Sequence, residues 1–197
     1  MKKRTLLIVA SLFIGIGAYA QGGSSFYRSP YKSRNIGSYD KSTALLTFSY
    51  GFPNVPARNF LFVGGSRSGF GPVYVKFEKA IMDEVGIGIQ GAMSAGKYTW
   101  GTLEEKMGAI HFGVLGYYHF NKLIPVKSLD VYAGVGLAFI NVARKYNDPL
   151  YTNTTDSDVY AAGKIGARYY FGENFAVYAE GGYDLMSEIN LGISLRF

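Results

Sequence analysis

The sequence predicts an all-β fold, an eight-stranded antiparallel transmembrane β-barrel, and three observations support this prediction. Period-two alternation of side-chain type recurs along the chain after residue 42, which is the pattern of strands with two unlike faces. One face is bulky and apolar, whereas the other combines charged residues with Gly, Ala and Ser, as expected when the outside of a barrel contacts lipid. Short and long connections also alternate along the chain, which is typical of membrane-spanning barrels.

The alternation is clearest in the last stretch, from Asn174 to Phe197. Before a short break at Met186–Glu188 and again after it, bulky residues fall on one face and small or charged residues fall on the other. The bulky face carries Phe175, Val177, Ala179, Gly181, Tyr183, Leu185, Ile189, Leu191, Ile193, Leu195 and Phe197, and the other face carries Ala176, Tyr178, Glu180, Gly182, Asp184, Asn190, Gly192, Ser194 and Arg196. The stretch therefore predicts the last two strands, joined by a hairpin.

The first twenty residues have the pattern of a secretory signal peptide. Lys2, Lys3 and Arg4 form a basic start, an apolar region covers residues 6–18, and Ala18-Tyr19-Ala20 matches a cleavage site. The apolar region is shorter than a membrane-spanning helix requires, which argues against an uncleaved anchor. We predict a signal peptide at residues 1–20 and a mature chain that begins at Gln21.

Residues 21–42 are rich in Ser, Gly, Tyr and Arg and show no sustained period. This composition predicts a flexible periplasmic N-terminal leader, followed by the barrel domain at residues 43–197. The formal net charge of the whole chain is +6, but the residues after Ser42 carry 13 basic and 13 acidic side chains. The predicted barrel is therefore neutral, and a nucleic-acid partner is not expected. The chain has no Cys, so it forms no disulfide.

Six further strand-like stretches precede the terminal pair and bring the count to eight. Each is close to the length that a tilted strand needs to cross a bilayer. They are Thr43–Gly51, Phe70–Ile81, Glu84–Tyr98, Met107–Phe120, Asp130–Ala143 and Asp158–Phe171.

The connections between these stretches predict the orientation in the membrane. Short turns at the periplasmic side and long loops outside the cell are usual for such barrels. The shorter connections are Met82-Asp83, Asn121–Leu129 and Gly172-Glu173, and the opposite end carries Phe52–Gly69, Thr99–Lys106, Arg144–Ser157 and the short Met186–Glu188. An even number of strands then places both termini in the periplasm.

A soluble, lipocalin-like barrel is the alternative fold. Its apolar face would point inward and its polar face outward. The bulky faces of this chain would then crowd a narrow lumen, so the transmembrane barrel accounts better for the pattern.

Seven charged residues fall on the predicted inward face: Lys76, Glu78, Lys164, Arg168, Glu180, Asp184 and Arg196. A turn after Phe171 places Glu180 opposite Gly166, with Lys164 and Arg168 as its diagonal neighbours. The same counting across the last hairpin places Tyr178 opposite Arg196. An eight-stranded lumen is about wide enough for side chains alone, so these charges predict an ion-paired plug. A gated ion path or proton relay through the same residues is the alternative.

Candidate catalytic and metal-binding residues are few. His111 and His119 both fall on the inward face of the fourth stretch, and neither belongs to a His-x-Ser arrangement, so we interpret them as structural. Asp148, Asp156 and Asp158 offer oxygen ligands for Ca²⁺, but they lack the spacing and the Gly of a known calcium loop. We therefore expect no enzyme activity, no metal and no cofactor.

The first long loop contains an unusual apolar run. Phe60, Leu61, Phe62 and Val63 follow one another between Pro56 and Gly64. Apolar side chains on a loop require burial, either against the barrel mouth or against a surface partner that binds loop 52–69.

The signal peptide, eight strands, long outer loops and terminal Phe together resemble the small OmpA/OmpX-type outer-membrane barrels of Gram-negative bacteria. Gly192, Leu195 and Phe197 are similar to the C-terminal signal that the barrel-assembly machinery recognises, although Leu191 stands where that pattern usually has a polar residue. The resemblance implies a cell outer-membrane location, in contact with membrane lipid and lipopolysaccharide.

The resemblance covers residues 42–197, is architectural and carries no diagnostic functional motif. It favours a structural or surface-interaction role through the extracellular loops. A narrow channel for ions or small solutes is the second hypothesis, and a lipid A-modifying enzyme is the third, because some small outer-membrane barrels have a His-dependent acyl-transfer site.

Overall fold

The computed structural model describes residues 38–58 and 65–197, and this part of the chain consists of eight strands with their connections. The strands are β1 (Ala44–Phe52), β2 (Ser66–Ala80), β3 (Val85–Trp100), β4 (Leu103–His119), β5 (Leu129–Tyr146), β6 (Thr154–Tyr170), β7 (Phe175–Tyr183) and β8 (Ile189–Arg196). None of the described residues belongs to a helix that is long and apolar enough to cross a membrane. The predicted signal peptide and all but the last five residues of the predicted leader lie outside the described residues.

Each strand pairs antiparallel with the next, and β1 pairs with β8 to close the sheet into a barrel. The predicted fold class is therefore confirmed. We call the end of the barrel where Ala44 and Arg196 lie the terminal end, and the opposite end the loop end. A closed barrel leaves no free edge wherever all eight strands overlap.

The alternation seen in the sequence separates two different surfaces. Tyr74, Tyr132 and Glu180 point into the lumen and are buried, whereas Phe48 and Phe112 point outward and are exposed. Bulky apolar side chains on the outside suit lipid, which forms no hydrogen bonds and does not penalise exposed hydrocarbon. The densely packed interior of this protein is its lumen.

Strands β2 to β6 extend further toward the loop end than the sequence predicts. The predicted loop Thr99–Lys106 is a turn at residues 101–102, and the predicted loop Arg144–Ser157 shrinks to residues 147–153. The polar residues in these regions obscure the alternation, but their backbones continue the ladder, as in the pairing of Arg144 with Thr154. The prediction was wrong there because backbone pairing does not require an apolar face.

Strand length is uneven around the barrel. The strands β7, β8 and β1 have 9, 8 and 9 residues, whereas β2 to β6 have 15 to 18. Pairing of β1 with β2 ends at Tyr50 and Val73, and pairing of β6 with β7 ends at Gly163 and Tyr183. The loop-end halves of β2 to β6 therefore stand beyond the closed barrel as a five-stranded sheet, which we call the tall wall.

The last hairpin differs in register from the prediction. Tyr178 pairs with Gly192 rather than with Arg196. The connection between β7 and β8 covers residues 184–188, and the Asp184 carboxylate accepts hydrogen bonds from the backbone N–H groups of Met186 and Ser187, both at 2.9 Å. With this Asp-capped turn, the hairpin reverses earlier in the chain than the sequence indicates, and the pairing shifts by four residues.

Candidate functional site in the lumen

Four charged groups meet in the middle of the lumen. The ammonium group of Lys76 on β2 forms an ion pair with the carboxylate of Glu180 on β7. Lys164 on β6 lies 2.6 Å from a carboxylate oxygen of Asp184 and 3.7 Å from one of Glu180. All four side chains are buried, and we call them the middle cluster. The alternating direction of side chains on each strand brings them together, because all of them lie on the inward face.

Neutral side chains satisfy the remaining oxygens of this cluster. The hydroxyl of Tyr132 donates to Glu180 at 2.8 Å, and that of Tyr74 donates to Asp184 at 2.7 Å. Gly166 faces Glu180 across the β6–β7 ladder and leaves the space that Tyr132 occupies, since a Cβ there would lie 2.6 Å from the Tyr132 hydroxyl. Each buried charge thus has an ion partner, and both carboxylates also accept hydrogen bonds from neutral groups, which offsets the cost of removing them from water.

A second cluster lies nearer to the terminal end. The two ring nitrogens of His119 each lie 2.7 Å from a carboxylate oxygen, one of Glu78 and one of Asp130. The guanidinium group of Arg168 donates to the same two carboxylates, at 2.9 Å each. The four groups form a closed ring of alternating charges, which we call the terminal cluster.

The partners of His119 define its protonation. A carboxylate only accepts hydrogen bonds, so each ring nitrogen must donate a proton, and only the imidazolium has two N–H groups. Its side chain is fully buried. With His119 charged, each cluster contains two cations and two anions, and both are neutral.

The structure does not bring every predicted lumen residue into these clusters. The guanidinium group of Arg196 donates to the Ser38 carbonyl at 2.6 Å and lies 4.4 Å above the ring of Tyr170. Arg168 contacts Glu78 rather than its diagonal neighbour Glu180. Sequence reasoning also missed Asp130, which begins the fifth predicted stretch, because the partners that reveal its role, His119 and Arg168, lie on two other strands.

Packed residues close the loop end of the lumen. Met186 is fully buried, and Leu185 and Ala57 pack against the same core cluster. Residues 53–58, which follow β1, reach this end of the lumen, where the Pro56 carbonyl accepts a hydrogen bond from Arg144 at 3.1 Å. Arg144 also pairs with the buried Glu105 at 2.8 Å.

The terminal end is closed by residues that precede β1. Ser38 and Tyr39 fall within the predicted leader and are buried. Burial, together with the nearby charge of Glu78, raises the pKa of the Tyr39 hydroxyl far above its usual range. The phenol is therefore neutral at any physiological pH.

The other histidine lies in a different setting. A ring nitrogen of His111 lies 2.8 Å from the Gln90 amide nitrogen, and the other lies 2.8 Å from the Tyr160 hydroxyl. An amide nitrogen donates, so His111 accepts there and is neutral. The ring lies inside the lumen, away from the lipid-facing surface where an acyl chain would be reached.

The candidate calcium ligands are separated. Asp156 and Asp158 lie on β6, whereas Asp148 lies in the β5–β6 connection and accepts the Leu150 N–H at 2.9 Å. Within residues 38–58 and 65–197, no group of three or more metal-ligating side chains is positioned to hold an ion.

The C-terminal residues lie where the alternation places them. Leu195 pairs with Phe175, and Phe197 is 69% exposed beside the terminal end. Gly192 packs so closely against the backbone of Phe48 that it leaves no room for a side chain. The apolar run Phe60, Leu61, Phe62 and Val63 lies outside the described residues.

A closed eight-stranded barrel with a lipid-type exterior and an ion-paired interior invites comparison with known membrane barrels. The family model of the outer membrane protein beta-barrel domain matches residues 46–197. The chain belongs to this family. It is therefore an outer-membrane protein.

Solved structures show the same fold at low sequence identity. OprG from Pseudomonas aeruginosa matches with a TM-score of 0.53 and 10% identity, over 82% of this chain and 98% of that chain. Ail, the attachment invasion locus protein of Yersinia pestis, matches with a TM-score of 0.50 and 11% identity, over 81% of this chain and 99% of that chain. No curated protein matches the chain significantly.

Proposed function

We propose that the protein is a surface-interaction barrel whose filled lumen holds the tall wall rigid outside the cell. The observation that carries this proposal is the unpaired edge of β6. From Thr154 to Ala162, β6 pairs with β5, but none of the described residues pairs with its other side. An unpaired edge presents backbone N–H and C=O groups that an added strand of another protein can pair with.

The direction of these groups follows from bonds lower in the same strand. The N–H of Tyr170 donates toward β5, to Ser128, whereas that of Phe171 donates toward β7, to Phe175. Backbone groups alternate sides along a strand, so the odd-numbered residues face the free edge. Thr155, Ser157, Val159 and Ala161 are these residues. The side chain of Asp158 caps the N–H of Val159 at 2.9 Å, and an incoming strand would displace it.

The other edge of the tall wall is protected. On β2, Pro72 has no N–H group, and the register shifts between Phe70 and Val73. Gly71 lies at φ 82° and donates its N–H to the Tyr50 hydroxyl at 3.1 Å. Proline and irregular backbone are common devices against edge pairing. β6 carries neither between Thr154 and Ala162, so the binding edge is β6.

The partner that fits this edge is an extended polypeptide segment with basic side chains. Asp156 and Asp158 are exposed on the inner side of the edge strand and would attract Lys or Arg at alternate positions. The proposal places the loop end outside the cell and both termini in the periplasm, which the even strand count supports. The first long loop, with Phe60, Leu61, Phe62 and Val63, is the second interaction site to test.

The test screens the barrel in nanodiscs against displayed extended peptides and compares two substitutions at one edge position. Ser157→Pro removes an edge N–H that faces away from β5, so it should abolish binding while the barrel stays folded. Ser157→Ala keeps the backbone and should bind as the unchanged protein does. Binding that survives Ser157→Pro but is lost when residues 59–64 are replaced by Gly and Ser would move the site to the first loop.

A further inference from the structure

The residues just before β1 cross the terminal end of the lumen, and we call Ser38–Ser42 the strap. Its carbonyl groups accept hydrogen bonds from three parts of the rim: Ser38 from Arg196 at 2.6 Å, Tyr39 from the amide of Asn121 at 3.0 Å, and Ser42 from Lys79 at 2.9 Å. The Ser38 hydroxyl also donates to the Leu129 carbonyl at 2.9 Å. The backbone N–H of Lys41 donates to the Asp83 carboxylate at 3.2 Å. The first half of the strap is thus held by β8, by β5 and by the β4–β5 connection, and the second half by β2 and the β2–β3 connection.

Tyr39 carries the deepest contact of the strap. Its ring stacks on that of His119, with ring centres 3.4 Å apart and planes inclined by 10°. The face of an aromatic ring attracts a cation, so a stacked tyrosine is held more strongly by an imidazolium than by a neutral imidazole. The strap therefore docks on a group whose charge depends on a proton.

Every other charged or titratable group that faces His119 can be named. Glu78 reaches it from β2, Asp130 from β5 and Arg168, through the two carboxylates, from β6. Tyr132 lies on the other side with its ring centre 5.7 Å away. Arginine and tyrosine keep their protons at neutral pH, and the two carboxylates stay charged against two cations each. His119 is the group in this cluster that changes charge between mildly acidic and alkaline pH.

We propose that the strap is a proton-dependent latch, docked while His119 carries two ring protons and released when one of them is lost. A neutral imidazole has a single N–H group, so either Glu78 or Asp130 would lose its donor and face a bare ring nitrogen. The cluster would then be left with a net negative charge beneath the Tyr39 ring. Release would free the segment before β1 and uncover the terminal end of the lumen.

The sign follows from proton counting. The docked state holds one proton more than the released state, so docking is complete at lower pH and weakens as the pH rises. In the pH range where docked His119 keeps its second ring proton and released His119 has lost it, the docking constant should fall about tenfold per pH unit, the dependence expected for one proton. Strong acid would loosen the latch differently, by protonating Glu78 and Asp130.

The test uses a spin label on the strap, because its mobility can be read at any pH. The chain has no Cys, so Lys41→Cys provides a single labelling site on an exposed strap residue. In the full-length mature barrel in nanodiscs, the label should be immobile at pH 6 and become mobile with the predicted slope as the pH rises. Tyr39→Ala should make it mobile at every pH, without altering the terminal cluster.

Two histidine variants separate the latch from a general effect of pH. His119→Gln should leave the label mobile throughout, whereas His111→Gln should keep the normal transition, since His111 contacts Gln90 and Tyr160 and not the strap. A label that stays immobile up to the pH at which the barrel unfolds would overturn the proposal. A label that remains immobile at low pH in Tyr39→Ala would also overturn it. This second measurement tests the latch even if His119→Gln does not fold.

Discussion

Four side chains converge on the carboxylate of Glu180 in the middle of the lumen. They are Lys76, Lys164, Tyr132 and Asn190, the last two at 2.8 Å and 3.2 Å. The ion pair of Arg58 and Glu188 at the loop end is also close, at 2.6 Å, but both of its side chains are exposed to solvent. Solvent weakens the exposed pair, whereas burial makes a missing partner costly.

Replacing Glu180 by Leu should strongly destabilise the barrel. Lys76 loses its carboxylate partner in a buried site, and breaking such a pair costs about 3–5 kcal/mol. Urea unfolding in detergent or lipid measures the loss, and Glu188→Gln is the matched control, with an expected change of about 0–1 kcal/mol. An unchanged midpoint for Glu180→Leu would mean that water reaches Lys76.

The side chain of Phe197 should promote assembly rather than stability of the finished barrel. Phe197→Ala keeps the backbone hydrogen bonds to Ala44 but removes the exposed aromatic ring. We expect a smaller folded, heat-modifiable fraction in outer membranes while export continues. Phe171→Ala, at another exposed ring near the terminal end, is the control and should assemble normally. Equal folded fractions for the two variants would argue against an assembly signal at the C-terminus.

At the scale of single strands, β6 combines two glycines with opposite surroundings. A Cβ on Gly166 would meet the Tyr132 hydroxyl at 2.6 Å and the Ala179 carbonyl at 2.9 Å, whereas one on Gly163 would meet nothing within 4 Å. Gly166 faces the packed lumen, and Gly163 faces outward. Within β6, packing therefore requires a residue without a side chain on the lumen-facing side and not on the outward side.

Gly166→Ala should destabilise the barrel by about 1–3 kcal/mol, the usual cost of adding a methyl group to a full interior. Gly163→Ala should be neutral or slightly stabilising, because it restricts the unfolded chain without a clash. Urea midpoints of the two variants provide the comparison. Equal losses for both would indicate that backbone strain, and not lumen packing, requires glycine in β6.

At the scale of the whole molecule, the ion-paired side chains in the lumen predict little steady conduction. The middle and terminal clusters balance their charges, and an open pore selective for one ion sign would more plausibly carry rings of a single charge. We therefore expect little or no steady conductance from the purified barrel in planar bilayers at neutral pH. Large, stable and sign-selective currents would contradict the plug and favour the channel.

The uneven height of the barrel is also a property of the whole molecule. Three short strands and five long ones leave the tall wall with one protected edge and one free edge. The stretches predicted from apolar alternation stop short of the loop-end parts of β2 to β6, because alternation reports the lipid-facing part of each strand. The polar extension of β6 above the barrel carries no such signal, and only its pairing with β5 reveals it.

The sequence by itself determined the strand number, the inward and outward faces and the pairing of Glu180 with Gly166. These features depend on period-two alternation and on a short turn between Phe171 and Phe175, both of which are local in the chain. The inward direction of Lys76, Lys164 and Asp184 could be predicted in the same way.

The tertiary structure decided which inward residues meet. Lys76 and Glu180 are 104 positions apart, and their contact depends on how the strands stagger when the barrel closes. The same closure brings Asp130 and Arg168 to His119 and seats Tyr39 on its ring. Alternation indicates only that a side chain points inward. It does not indicate which residue of the opposite strands lies at the same height along the barrel axis. For that reason the two neutral clusters and the strap could be identified only in the folded structure and not from the alternation in the sequence.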